Sequence, residues 1–377
     1  MKKITSTGYY SWKIGSLCKG CRQCIKGQKL VLYITGLCPR KCFYCPLSET
    51  RANKDLMWAN EHPITTTKEA IEEAKLCDAK GAGITGGDPL LKMDRTVKFI
   101  KALKRSFGKS FHIHLYTSLI LVDEKRLKRL YESGLDEIRF HPDFNKEKEW
   151  EKIFLAKRHP WKVGVEIPVI PQFEEQTKKL LAFLSGRIDF LNLNELEISD
   201  TNANKLVNRG YKPKDRISYG VKGSETMALK LLKLCEKNNL KFDVHYCSTR
   251  LKDKVQLGER LKRRAKNVKK TFDVVDGEGM LVRGCIYLKG LEPGFDYERR
   301  VKAGKKKIPE LKKARKEIMK DLDVPASLIE VDEKKLRILI APWILEKISI
   351  EIKHKCAIVK EYPTYDNLIV DLEYLGI

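Results

Sequence analysis

Between residues 30 and 247, short apolar runs of strand length alternate with amphipathic stretches of helical period, and this alternation constrains the fold more than any other feature of the chain. Strands are expected at Leu30–Thr35, Gly83–Thr85, Phe111–Tyr116, Asp136–Phe140, Lys162–Val169 and Ile188–Asn194. Helical patterns fall between them, at Thr67–Lys80, Asp94–Ser106, Glu124–Ser133, Lys146–Arg158 and Glu174–Leu184. A strand that must be followed by a helix before the next strand cannot form a hairpin, so the strands run parallel. Six strands and five intervening helices give an α/β fold in which a parallel sheet curls into a partial barrel. In such barrels chemistry collects where strands end and βα loops begin.

A helix at Ser224–Asn238 and a further strand at Leu240–Tyr246 follow, and then a basic helix, Leu251–Lys270. From about Thr271 the pattern changes. Asp276-Gly277-Glu278-Gly279 is a turn between Phe272–Val275 and Met280–Leu288. A helix at Pro309–Lys320, a strand at Arg337–Ile340, a helix at Trp343–Lys353 and strands near Cys356–Glu361 and Leu368–Leu372 complete a small α+β domain. The expected organisation is a Cys-rich basic segment 1–29, a barrel 30–248, a basic helix 249–270 and a C-terminal domain 271–377.

A chain of 377 residues with 42% hydrophobic content can bury a core without disulfide staples, and it is not a disordered chain. No apolar run approaches the roughly 20 residues that span a bilayer. The opening MKKITSTGYYSWK has no apolar stretch of signal-peptide type, so a soluble, cytoplasmic protein with no membrane partner is expected. The net charge of +25 is concentrated: segments 1–45, 250–270 and 299–320 carry the excess, and the remainder is near neutral. Basic patches on a neutral body suit a polyanionic partner; solvated helix faces are the plainer alternative.

Six of eleven cysteines lie within 28 residues: Cys18, Cys21, Cys24, Cys38, Cys42 and Cys45. An odd total without a secretory signal argues against a disulfide framework, whereas gaps of two and three residues suit metal or iron–sulfur ligation. Cys38-x3-Cys42-x2-Cys45 follows the first barrel strand directly. Three thiolates on a tight loop hold three irons of a [4Fe–4S] cluster and leave the fourth iron open. Cys18-x2-Cys21-x2-Cys24 can also wrap a metal, either a second iron–sulfur cluster or zinc, with Cys247 as the fourth ligand and Cys285 as runner-up; unmetallated cysteines are the remaining alternative.

The cysteine run Cys38-Pro-Arg-Lys-Cys42-Phe-Tyr-Cys45 resembles that of the radical S-adenosylmethionine (SAM) superfamily. Thr85-Gly86-Gly87-Asp88-Pro89 resembles the family's Gly-Gly-Glu-Pro motif, with Asp88 in place of Glu. Tyr116-Thr117-Ser118 stands where the family often has a Thr-Asn-Gly-like run. The resemblance covers about residues 30–200 and implies a partial (β/α)6 TIM-like radical SAM barrel. It implies SAM chelated at the open iron and cleaved reductively to a 5′-deoxyadenosyl radical that abstracts a substrate hydrogen. It places Tyr44 near the adenine, and Gly86, Gly87, Asp88, Pro89, Thr117 and Ser118 around SAM. Arg139 and Glu166, polar groups at strand ends, are further expected SAM contacts; His141, Asn192, Asn194, Glu195 and Glu197 are ligand candidates of the same kind, and His112 and His114 read as core histidines.

The charge pattern makes RNA, most simply tRNA, the expected substrate, with Tyr9, Tyr10 and Trp12 available to stack on bases. The alternative is an enzyme that installs a glycyl or peptidyl radical on a protein partner, because the compact barrel with upstream cysteines is distantly similar to pyruvate formate-lyase activating enzymes. A redox or zinc-bearing module without SAM chemistry is the non-enzymatic reading, and the intact Cys38, Cys42, Cys45, Gly86 and Gly87 argue against it. An electron donor such as ferredoxin or flavodoxin is implied in either enzymatic case.

Overall fold

A computed structural model describes residues 2–376. The chain divides into two compact units, Met1–Arg260 and Leu261–Ile377.

In the first unit, seven parallel strands form the sheet: β3 (Lys29–Tyr33), β6 (Gly81–Thr85), β7 (His112–Ser118), β8 (Glu137–His141), β9 (Lys162–Val169), β10 (Phe190–Glu195) and β11 (Asp243–Cys247). Their alternate residues are buried on both faces, which is why β9 reads Lys-Val-Gly-Val-Glu-Ile-Pro-Val, almost without polar interruption. Antiparallel pieces extend both edges: β1 (Ile4–Ser6) and β2 (Trp12–Ile14) join β11, and the hairpin β4 (Met57–Ala59) and β5 (His62–Ile64) joins β3. The strand at Leu240–Tyr246, expected only as an addition, is thus the seventh parallel member.

Helices α2 (Thr67–Leu76), α3 (Met93–Phe107), α4 (Glu124–Glu132), α7 (Glu174–Leu184) and α9 (Ser224–Lys237) connect the strands, and a short α8 (Ala203–Val207) lies in the loop after β10. Local signals set their starts. Thr66 and Glu69 form a reciprocal capping box on α2, and Asp123 caps α4. The single helix expected at Lys146–Arg158 is instead two short ones, α5 (Glu147–Trp150) and α6 (Ile153–Ala156). Between them the backbone tightens to three-residue turns, Lys152 bonding to Glu149 and Phe154 to Glu151. The expected helix Leu251–Lys270 begins as a wide π-type turn over Leu251–Leu257 and becomes α10 (Gly258–Val268).

Residues before β3 belong to the first unit. Helix α1 (Lys19–Ile25) packs against β3, β6 and β7 on the lumen side of the sheet. A Cβ on its Gly20 would meet Arg139 Nη2 at 2.3 Å and His114 Nδ1 at 2.9 Å, so only glycine fits this close approach.

The second unit is a six-stranded antiparallel sheet: β12 (Val274–Val275), β13 (Leu281–Tyr287), β14 (Ile329–Asp332), β15 (Arg337–Ile340), β16 (Lys355–Glu361) and β17 (Ile369–Leu375). Its helices are α11 (Tyr297–Ala303), α12 (Ile308–Asp321) and α13 (Pro342–Ile348). Leu311, Ala314 and Ile318 of α12 pack with Leu345 of α13 and Ile338 and Ile340 of β15. A second set of side chains on this sheet is ionic. Glu361 takes both Arg337 (2.6 and 2.9 Å) and Arg283 (3.0 Å), and Arg283 also grips Asp273 at 2.7 Å. Burial opposes the charge on Glu361, but Arg337 and its neighbours hold the carboxyl below its ordinary value.

Glu361→Ala is expected to cost about 3–5 kcal/mol, the cost of leaving buried guanidinium charge uncompensated, and thermal or urea melting of the full chain checks this. Because the folded-state value is depressed, this carboxylate's contribution is present above the unfolded value near about 4.3 and is lost as pH falls through the folded one.

Candidate active site

A cavity of about 470 Å³ opens at the carboxyl ends of the parallel strands. Cys38, Cys42 and Cys45 line it together with Tyr44, Thr85, Gly86, Gly87, Thr117, Ser118 and Glu166. Residues expected to cooperate from four separate sequence segments therefore share one space.

The loop after β3 is fixed from two directions. Gly87 N donates to Thr35 O at 2.7 Å and Asp88 N to Leu37 O at 2.8 Å, so the turn after β6 is bonded to the approach to Cys38. A Cβ on Gly86 (φ +145°) would lie 2.3 Å from Thr35 O, and one on Gly87 would lie 2.2 Å from Leu37 O. The glycines are thus required by the packing of one loop on the other. On the far side, Asn202 Nδ2 donates to Tyr44 O (3.1 Å) and Thr201 Oγ1 to Cys45 O (3.3 Å). Burial pushes the Cys38 thiol up to about 11 and raises that of Cys42 as well. Free, both are protonated at neutral pH, and iron binding would displace the protons. Among the described residues no three His, Cys, Asp or Glu side chains gather around a single metal ion. The donor set, three sulfurs on one short loop facing a cavity, fits a cluster in which each cysteine takes a different iron.

Tyr44 is 8% exposed and its hydroxyl meets His141 Nε2 at 3.0 Å. Burial lowers His141 to about 4, so the ring is neutral. Its Nδ1 lies 2.9 Å from Glu166 O, a carbonyl that can only accept. The proton therefore sits on Nδ1, and Nε2 accepts from Tyr44. Arg40 donates to His141 O at 2.6 Å and pairs with Asp143, closing this side of the loop.

Three expected contacts face elsewhere. Asp88 is fully buried and its carboxylate does not line the cavity. It accepts from Leu90 N (3.1 Å), Thr117 Oγ1 (2.8 Å), Ser118 N (3.1 Å) and Ser118 Oγ (2.7 Å), joining the turn after β6 to the end of β7. Pro89 is likewise buried behind it, at the start of a short 3-10 turn. Arg139, at 2% exposure, bridges Glu137 (2.6 Å) and Glu166 (2.8 Å) and reaches Tyr116, Cys18 and Cys21. A fully paired guanidinium at this depth holds the barrel lumen together instead of presenting itself to a ligand. Glu166 does line the cavity, and Asn192 (2.7 Å) and Asn194 (2.9 Å) donate to it. His141, Asn194, Glu195 and Glu197 share the lining, whereas Asn192 does not.

Sequence reasoning missed Lys252 and Gln256, both in the cavity wall. Lys252 pairs with Glu197; burial opposes its charge, and Glu197 raises it above the ordinary lysine value. It had counted only as part of a basic patch. Its position five residues after β11, at the same end as the cysteine loop, was the available signal. His114, read as a core histidine, also reaches the cavity, with Nε2 3.2 Å from Tyr116 Oη.

Residues 32–167 match the Radical SAM superfamily model, and residues 279–373 match a domain of unknown function, DUF8061. A curated relative from Methanocaldococcus jannaschii is 44% identical over 96% of this chain and 94% of its own length. The chain belongs to the radical SAM superfamily. It is therefore a radical SAM enzyme, with the [4Fe–4S] cluster and SAM that this family implies. The relative carries the provisional name of a glycyl-radical enzyme activating enzyme. Among solved structures, methylornithine synthase (PylB) is 15% identical, over 56% of this chain and 65% of its own, with TM-score 0.38. Coproporphyrinogen III oxidase (HemN) from Escherichia coli is 11% identical over 90% and 93%, with TM-score 0.36. Both likenesses are remote. No helix among the described residues is long and apolar enough to cross a membrane.

Asp88→Asn puts an amide NH2 against Ser118 N–H or Leu90 N–H, both donors. It is expected to lower thermal stability and to weaken SAM binding about tenfold, or 1.4 kcal/mol, in equilibrium binding to the reconstituted enzyme. Asp88→Glu adds a methylene to a filled site and is expected to cost about 1–3 kcal/mol of stability by the same melts.

Proposed function

We propose that the protein activates a partner protein by generating a glycyl or peptidyl radical on it, with Cys38, Cys42 and Cys45 holding the cluster. The observation that carries this reading is the 44% identity, over nearly the whole of both chains, to a relative named for that activity. Bound there, the cluster and SAM supply a 5′-deoxyadenosyl radical that takes a hydrogen atom from the substrate. The chain's own residues bind and orient. Tyr44, fixed by neutral His141, offers a ring face in the cavity wall, and the backbone of Gly86 and Gly87 is free of side chains beside the cysteine loop. Glu166 and the Lys252–Glu197 pair bring charge to the cavity wall.

RNA, with tRNA first, was the reading that charge favoured, and the fate of the basic side chains weakens its support. Arg260 makes a two-pronged pair with Glu61, at 2.6 and 3.0 Å. Arg264 is 6% exposed and donates to Pro363 O, and Lys29 is buried against Ala82 O and His112 O. In segment 299–320, Arg300 holds Gly290 O and Glu292 O, and Arg315 holds Ile329 O. Cations committed in this way contribute little to phosphate binding.

The test is the destination of the hydrogen. A protein with a glycyl-radical loop, deuterated at glycine Cα, is incubated with reduced enzyme and SAM, in parallel with unfractionated tRNA. Deuterium in 5′-deoxyadenosine is expected from the protein arm, with a glycyl-radical signal in the electron paramagnetic resonance (EPR) spectrum that is a doublet for the unlabelled protein and collapses towards a singlet for the deuterated one. Modified nucleosides in the tRNA arm, with no transfer from the protein, would reverse the assignment.

A further inference from the structure

The second cysteine set lies inside the barrel. Cys18 caps α1, accepting from Cys21 N, and Cys21 and Cys24 follow on the same helix. Cys24 lines the same cavity as Cys38, Cys42 and Cys45, among Gly83, His114, Tyr116, Glu166 and Gln256. Cys247 ends β11, two residues beyond His245 and on the same face of that strand. It is buried with Ile25 of α1 and is within electrostatic reach of Cys24.

The surroundings are unlike those of a cysteine used as a small apolar filler. Arg139 Nη2 approaches Cys18 Sγ at 3.2 Å and Cys21 Sγ at 3.7 Å. Asn192 Nδ2 lies 3.4 Å from Cys21 Sγ, and Gln256 Nε2 lies 3.8 Å from Cys247 Sγ. Three of the four sulfurs are thus met by N–H donors, as cluster sulfurs are. A second observation concerns two buried imidazoles. His245 is 3% exposed, pairs in register with Asn192, and has no hydrogen-bond partner on either ring nitrogen. Nδ1 of His114, which faces α1 at Gly20, is also unpartnered. Buried imidazoles rarely forgo both bonds, so the lumen is built for something more than these side chains.

We propose that Cys18, Cys21, Cys24 and Cys247 ligate a second [4Fe–4S] cluster in the barrel lumen, beside the cavity. The Cys18-x2-Cys21-x2-Cys24 spacing is that of cluster-binding cysteines, which favours a cluster over zinc here. Lys29 and Arg139 offset its negative charge, and His245 supplies a further N–H toward its sulfur. With four protein ligands it has no open iron for SAM or substrate. The inference does not depend on which substrate the enzyme attacks.

Metal counting on the full chain, reconstituted anaerobically, tests it. The wild type is expected to hold about eight irons and eight sulfides, and Cys38→Ala/Cys42→Ala/Cys45→Ala about four of each, with a reduced [4Fe–4S] EPR signal. Adding Cys247→Ala to that variant is expected to lower the iron further and change the signal. A wild type with about four irons, a triple variant with none, or one zinc in place of the second cluster would overturn the proposal. Full retention of four irons after Cys247→Ala would overturn the fourth ligand. The wild-type count decides the matter even where a variant does not fold.

Discussion

The guanidinium of Arg139 organises the interior of the first unit. A parallel sheet curled around a lumen must fill that lumen, and this one fills it with charge. Arg139 spans Glu137 on its own strand and Glu166 on the next, stacks near Tyr116 and Phe190, and touches two cysteines of α1. Burial disfavours its charge, but Glu137 and the other acceptors hold its pKa well above the ordinary arginine value. Such a centre specifies geometry more than it adds net stability. It fixes where α1 enters and how Glu166 stands at the cavity wall.

Around that centre the active-site loops are held by backbone bonds. Gly87 and Asp88 bond the turn after β6 to the loop after β3, and the Asp88 carboxylate carries the linkage to β7. The cysteine loop, the glycine turn and Thr117-Ser118 are therefore one mechanical unit. A cluster and SAM bound between them would meet walls positioned in advance, which is the condition for efficient radical transfer to a held substrate.

Much of this was legible in the sequence where periodicity runs long. Lys162–Val169, Glu174–Leu184 and Arg337–Ile340 begin and end as the pattern predicts. The elements it did not reveal are short: β1 and β2 have three residues each and α1 has seven, too few to show a period. They exist because β11 offers a pairing edge and the lumen offers a cleft. In the site, motif spacing identified the cysteine loop and glycine turn. It could not say that Asp88 and Arg139 point inward, since alternation along a strand gives a face but no depth. Net charge is a weak guide to a partner for a related reason: composition counts cations without showing which, like Arg260, Arg264 and Lys29, are already paired or buried.

The most direct test of the central claim is reductive cleavage of SAM by the enzyme alone. Anaerobically reconstituted wild type, reduced with dithionite, should form 5′-deoxyadenosine and methionine in equal amounts. The variant lacking Cys38, Cys42 and Cys45 should form neither. Cleavage by that variant at the wild-type rate would contradict the assignment of the cluster to this loop.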